Sequence, residues 1–218
     1  MRIYQVIVFI LLFTSCSKVD DDVIINKEIF FPLSVGNEWK YDISNANVEQ
    51  NISEHTFSVA KDTSIRIDNK DYIFFVVESY RSSNQENKWN LVWGHDDDGN
   101  LLQYGARVNA ASIVDMSIQY KKNVTVGDVW SYNHLIYNEE DGLRAEVNEI
   151  ECVQLDTIIE TSAGEFTCIK YYDKFKRYEE VDEKRFFYVD PKVGLIKFTL
   201  IFNGEIESEM SLKEYSIE

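Results

Sequence analysis

The densest set of oxygen ligands in this chain is Asp96-Asp97-Asp98-Gly99-Asn100, where Asp96, Asp98 and Asn100 could wrap Ca²⁺ around the bend that Gly99 allows. The run lacks the distal bidentate glutamate of a twelve-residue calcium loop. A solvated hairpin turn is therefore the first expectation, with calcium as the alternative and no other cofactor. The three histidines, His55, His95 and His134, stand far apart without HxxxH or CxxC spacing, so no zinc set is expected. No serine sits in a GxSxG elbow, no Walker or GxGxxG loop is present, and neither Cys152 nor Cys168 lies in a nucleophile signature. With 38 acidic residues, some carboxylate pair will lie at a workable distance in any fold, so abundance does not name a glycosidase site. No catalytic residue is assigned.

Aromatic side chains are the remaining candidates, since a ring exposed on a β surface can stack on a ligand. Trp89, Trp93, Tyr104, Phe186, Phe187 and Tyr188 fall around the middle strands of the pattern. Trp93, Phe186 and Tyr188 sit inside apolar runs and read as core. Trp89, between Lys88 and Asn90, is as well placed for exposure as for burial. Trp89 and Trp93 are the candidate stacking residues, and Trp39 and Trp130 read as structural plugs.

The elements that must position these groups read as strands. Hydrophobic content of 44% and aromatic content of 14% suffice for one large core or two small ones. Val35-Gly36-Asn37-Glu38-Trp39-Lys40-Tyr41 recurs as Val126-Gly127-Asp128-Val129-Trp130-Ser131-Tyr132, each a turn feeding an aromatic strand. At one constant offset Asp62-Thr63 falls on Asp156-Thr157, Asp96 on Asp190, Leu101 on Leu195 and Met116-Ser117 on Met210-Ser211. The calcium candidate thus aligns with Asp190-Pro191-Lys192-Val193-Gly194, which keeps only the first carboxylate.

Ile196, Phe198, Leu200 and Phe202 alternate with mostly polar neighbours before Asn203-Gly204, the pair a type I′ hairpin needs. The equivalent Asn109-Ala110 lacks the glycine and should turn more loosely. Residues 72–77 and 186–189 are apolar on both faces, as strands inside a curved sheet would be. Only residues 106–116 offer a short helix as competitor. The expected fold is mainly β and antiparallel, in two tandem repeated modules, 30–122 and 123–218. These form either two half-barrels or one curved meander closing on itself.

If residues 161–164 turn a hairpin, Cys168 faces a residue near 157 and Cys152 one near 173. That register favours two buried thiols over a disulfide, which stays as the alternative.

Residues 1–15 carry Arg2 and an apolar run over 6–13, the length of a signal-peptide core and too short to span a bilayer. The run ends in Phe13-Thr14-Ser15-Cys16, which resembles the lipobox of bacterial lipoproteins. That resemblance implies cleavage before Cys16 and acylation of it, with each buried methylene adding about 0.8 kcal/mol to a membrane anchor. Ser17-Lys18-Val19-Asp20-Asp21-Asp22 resembles the acidic export signal of surface lipoproteins in Bacteroidota; a plain solvated tether over 16–29 has the same composition. Asp156-Thr157-Ile158 resembles the short O-glycosylation sequon of that group, which would make Thr157 an acceptor, and chance explains three residues equally well.

Together the lipobox, acidic leader and VGxxWxY modules resemble uncharacterised Bacteroidota surface lipoproteins. The resemblance implies an outer-membrane protein held by lipid on Cys16, facing the surface or the periplasm. The formal charge of −16 argues against nucleic acid and anionic lipid surfaces as direct partners. The first functional expectation is a non-catalytic binding module for a glycan or an envelope protein. The second is a carrier of a lipid or other apolar ligand inside the curved sheet, and a hydrolase comes last.

Overall fold

The computed structural model describes residues 30–46, 53–82, 84–108, 111–138, 142–174 and 182–218. The expected signal peptide, Cys16, the acidic tether and the Asn109-Ala110 turn lie outside the described residues.

Twelve strands follow one another: β1 (Glu38–Asn45), β2 (Ser53–Ile67), β3 (Lys70–Arg81), β4 (Asn84–His95), β5 (Leu101–Val108), β6 (Ala111–Tyr120), β7 (Val129–Asn138), β8 (Gly142–Thr161), β9 (Gly164–Lys174), β10 (Glu183–Asp190), β11 (Gly194–Phe202) and β12 (Glu205–Ser216). All belong to one antiparallel sheet of order β6-β5-β4-β3-β2-β1-β12-β11-β10-β9-β8-β7. Of the two arrangements left open by the sequence, the continuous meander is the one formed. Among the described residues the competing helix does not form, since 106–108 end β5 and 111–116 begin β6.

The first and last strands pair with each other, Trp39 opposite Tyr215 and Ile43 opposite Met210. The sheet is therefore a nearly closed barrel whose seam lies midway along the chain, between β6 and β7. Side chains bridge that seam. Trp130 Nε1 donates to the Ile118 carbonyl at 3.1 Å, and Gln103 Nε2 donates to the Asn133 carbonyl at 2.8 Å. The Asn133 backbone N–H donates to Ser117 Oγ at 3.0 Å, and its side-chain amide donates to Asp115. Buried polar groups left over by an absent strand pairing are satisfied here, as burial demands.

Alternation assigns the faces. In β1, Trp39, Tyr41 and Ile43 are buried while Lys40 and Asp42 between them reach ion pairs with Glu214 and Lys213. Lys197–Glu209 and Lys174–Glu151, both at 2.7 Å, add to this outer lattice. Exposed pairs of this kind are screened by solvent and add little, so the lattice reports orientation more than stability. Aromatic inside and charged outside is the reverse of a membrane-spanning barrel, whose lipid-facing band is apolar.

Both VGxxW turns have the same geometry. Gly36 and Gly127 take φ of 98° and 94°, values that L side chains rarely adopt. Gly36 N–H donates to the Val59 carbonyl and Val59 N–H returns to Asn37; Gly127 N–H donates to Cys152 and Cys152 N–H returns to Asp128. Trp39 and Trp130 then plug the interior, the Trp39 indole donating to the Val193 carbonyl at 2.7 Å. Asn203 and Gly204, at φ 51° and 83°, make the expected type I′ turn of the β11–β12 hairpin. Asp68-Asn69, at 49° and 65°, turns β2 into β3 in the same way without glycine, which the Asx side chains tolerate.

Cys152 and Cys168 are free and buried. Cys168 lies opposite Thr157, as the register implied. Cys152 pairs with Tyr171 and not with a residue near 173, because irregularities between Cys152 and Thr157 take up part of β8. Phe186 and Tyr188, expected in the core, are half-buried with the Lys170 ammonium 4.3 and 5.4 Å from their ring centres. Phe187 between them turns inward to meet Phe198, their centroids 4.9 Å apart.

Candidate functional site

The two ends of the barrel differ. At one end the segment before β1 folds inward. Phe31 is 3% exposed, with its ring 5.6 Å from Trp93, 5.8 Å from Trp39 and 6.4 Å from Tyr120, so it touches β4, β1 and β6 at once. The plug is tied down by Phe31 N–H to the Pro191 carbonyl at 2.9 Å and by His95 Nε2, 2.7 Å from the Phe30 carbonyl. Gly194 leaves room for it, since a Cβ there would lie 3.2 Å from the Phe31 ring. Burial lowers the His95 pKa, opposed by the hydrogen bonds of its Nε2 to the Phe30 and Phe31 carbonyls. His95 is thus a fastener of the plug.

Above the plug lies a cavity of about 600 Å³. Its floor is Phe31, Trp39 and Trp93, and its walls include Phe57, Leu91, Tyr120, Phe187, Phe198 and Met210. Toward the other end it is ringed by Ser79, Arg81, Trp89, His134, Arg185 and Ser208, which sit on strand segments remote from the plug. Trp89, Leu91 and Trp93 reach it together because alternate residues of β4 face the same side. The two sequence-nominated tryptophans therefore share one site. Trp93 is its buried floor, and Trp89 is a half-buried rim ring meeting Tyr137 edge-on at 6.3 Å.

His55 and His134 face this cavity from β2 and β7, a meeting that their spacing of 79 positions in sequence (134 less 55) could not announce. His55 Nε2 lies 2.9 Å from Ser79 Oγ, and His134 Nδ1 lies 3.4 Å from Tyr132 Oη. Burial lowers both pKa values to about 4, helped by Arg81 at His55 and by Arg185 at His134. Both are neutral near pH 7. Beneath them Tyr132 Oη donates to Asp173 at 2.8 Å and Asn148 Nδ2 to its other oxygen at 3.3 Å. Burial still lifts the Asp173 carboxyl to about 6.

The other nominated residues lie elsewhere. Asp96 sits in the β4–β5 turn at the plugged end, its Oδ1 accepting from the backbone N–H of Asp98 at 3.0 Å and of Asn100 at 2.8 Å, and its Oδ2 from Asn100 Nδ2 at 2.8 Å. Asn100 Oδ1 accepts from Lys122 N–H, and Asp97 pairs with Lys70. The carboxylate thus closes its own loop, and the second-half counterpart does likewise: Asp190 Oδ1 accepts from Lys192 N–H at 2.8 Å. Among the described residues no three His, Cys, Asp or Glu side chains are grouped as a metal would need. Thr157 is half-buried in β8, and its Oγ1 is enclosed without a hydrogen-bond partner.

No family model matches the chain, and no curated protein matches it significantly. Among solved structures, a candidate lipoprotein of Parabacteroides distasonis shares the fold at a TM-score of 0.57 and 16% identity, over 86% of this chain and 98% of that one. A candidate exported protein with YmcC-like fold from Bacteroides fragilis aligns at a TM-score of 0.49 and 15% identity, over 86% of this chain and 99% of that one. These likenesses concern the fold alone.

Proposed function

We propose that this protein is a lipid-anchored component of the bacterial cell envelope that carries one small apolar ligand inside its barrel. The observation behind this reading is the aromatic-walled cavity of about 600 Å³, in the middle of the span of about 300–1,000 Å³ used by small-molecule sites. Trp89 and Trp93, the two rings expected to stack on a ligand, both line the interior and not the outer face. The carrier reading therefore takes precedence over the surface-binding one.

The anchor is supported by the lipobox-like run ending at Cys16 and by the shared fold with the Parabacteroides candidate lipoprotein. The acidic residues 20–22 favour display on the outer-membrane surface. A tether from Cys16 would join the barrel at its plugged end, through Phe30 and Phe31, and leave the rim of Arg81 and Trp89 accessible. The matched glycine turns and tryptophan plugs support descent of the two halves from one duplicated module.

Native mass spectrometry of the protein purified from bacterial envelopes, compared before and after denaturation, tests the carrier role. A releasable mass of lipid size is the expected result. A bare chain that also fails to take up the neutral fluorophore N-phenyl-1-naphthylamine would overturn it.

A further inference from the structure

The cavity wall reverses the charge of the chain. Across the sequence 38 acidic residues oppose 22 basic ones, yet among the described residues the wall carries Arg81, Arg185, His55 and His134 and no carboxylate. Both arginines belong to the rim: Arg81 ends β3 and Arg185 stands near the start of β10. Arg185 is held in place, its Nε donating to Glu183 at 2.6 Å with only 19% of its side chain exposed. Glu183 answers the Arg185 charge, yet a wall selected only to hold hydrocarbon would gain nothing from two guanidinium groups set into it, since such charges are costly to desolvate.

Polarity is left unanswered deeper in the cavity as well. The Trp93 indole Nε1 and Gln119 Oε1, both on wall residues, are enclosed and have no hydrogen-bond partner, and Trp93 is 94% buried. A buried donor and a buried acceptor left unpaired each cost about 1–3 kcal/mol. The wall is therefore apolar in area and unsatisfied in polarity.

We infer that the ligand is an amphipathic anion, its apolar body among the rings of the floor and its anionic head held at the rim by Arg81 and Arg185. This rests on the carrier reading and adds the chemical class of the cargo. A guanidinium offers two parallel N–H donors to a carboxylate or similar oxyanion, a geometry that a lysine would not supply. The cavity has room for one such molecule and not for a multi-chain lipid.

Two fluorophores with nearly the same ring body test it: the anion 1-anilinonaphthalene-8-sulfonate and the neutral N-phenyl-1-naphthylamine, titrated into the delipidated full-length mature protein. Arg185→Gln is expected to weaken the anionic probe about tenfold or more, the loss of one charge-assisted hydrogen bond, and to leave the neutral probe within about twofold. Arg81→Gln, at an exposed strand end, keeps the test open if loss of the Glu183 pairing impairs folding of the Arg185 variant. As competitors, palmitate should displace the neutral probe at lower concentration than hexadecanol. Equal weakening of both probes, or hexadecanol competing as well as palmitate, overturns the anionic head while sparing the carrier reading. No binding by either probe overturns both.

Discussion

Acidification from pH 7 to pH 5 should destabilise the barrel through His55 and His134. Burial holds both imidazoles at about 4 instead of 6.5, with Arg81 and Arg185 acting in the same direction. The unfolded chain therefore takes up protons below 6.5 that the folded chain refuses until about 4. Stability is complete above 6.5 and is lost as the pH falls through that window. At pH 5 an unfolded histidine is almost wholly charged and a folded one only about a tenth, a loss of about 2 kcal/mol per histidine relative to pH 7.

Asp173 acts with the opposite sign. Its carboxyl rises from 3.8 to about 6 on burial, so its contribution is present at low pH and is lost as the pH climbs through 6. Going from pH 7 to pH 5 it returns about 1 kcal/mol. For these three groups the balance is a loss of about 2–3 kcal/mol, to which His95 adds with the same sign, readable as a lower urea midpoint at unchanged slope. The comparison stops at pH 5 because the depressed carboxyls of Asp71, Asp128 and Glu214 enter only below their ordinary values. In the double variant His55→Gln, His134→Gln the Asp173 gain is opposed only by His95, whose pKa burial also lowers, and most of the acid loss between pH 7 and pH 5 should disappear. An undiminished acid loss in that variant would refute the assignment.

Three further outcomes are expected. Phe31→Ala removes a ring buried against three tryptophan and tyrosine rings and should cost about 3–5 kcal/mol in denaturant unfolding. Gly204→Ala places a Cβ at φ 83° in the β11–β12 turn and should cost about 1–2 kcal/mol by the same measurement. Cys152 and Cys168, free and buried, should resist iodoacetamide in the native protein and react once it is unfolded. Burial also pushes the Cys168 thiol to about 12, so rapid native alkylation of either would contradict the packing.

The strand content was legible because period-2 alternation and turn residues are local signals. The Asn203-Gly204 hairpin and both VGxxW turns follow from residues that admit positive φ. The register error at Cys152 has a local cause that leaves no such mark. A β-bulge adds a residue without changing composition, and the irregularities between Cys152 and Thr157 displace the pairing by two positions (171 for 173). Phe186 departs from the core for a related reason, while Tyr188 still packs against it: an aromatic triplet shows that both faces are covered without saying which face is the interior. Lys170 over Phe186 is a covering contact from outside.

The cavity is harder to read because filled and hollow barrels share one pattern of inward residues. What separates them is circumference. About eight strands give an interior that side chains can fill, and diameter grows with strand number. Twelve strands in one sheet make a lumen wider than rings alone can close, and chain length does not reveal that the two six-strand halves join through β1 and β12. The plug then decides where the surplus volume goes. Phe30 and Phe31 fill one end, so the remaining space is displaced toward the rim where Arg81, His55, His134 and Arg185 meet. Those four residues come from β3, β2, β7 and β10, and closure of the ring is what makes them neighbours. A binding site assembled by closure is invisible to any search for spaced motifs, which explains why the aromatic candidates were found and the cationic rim was not.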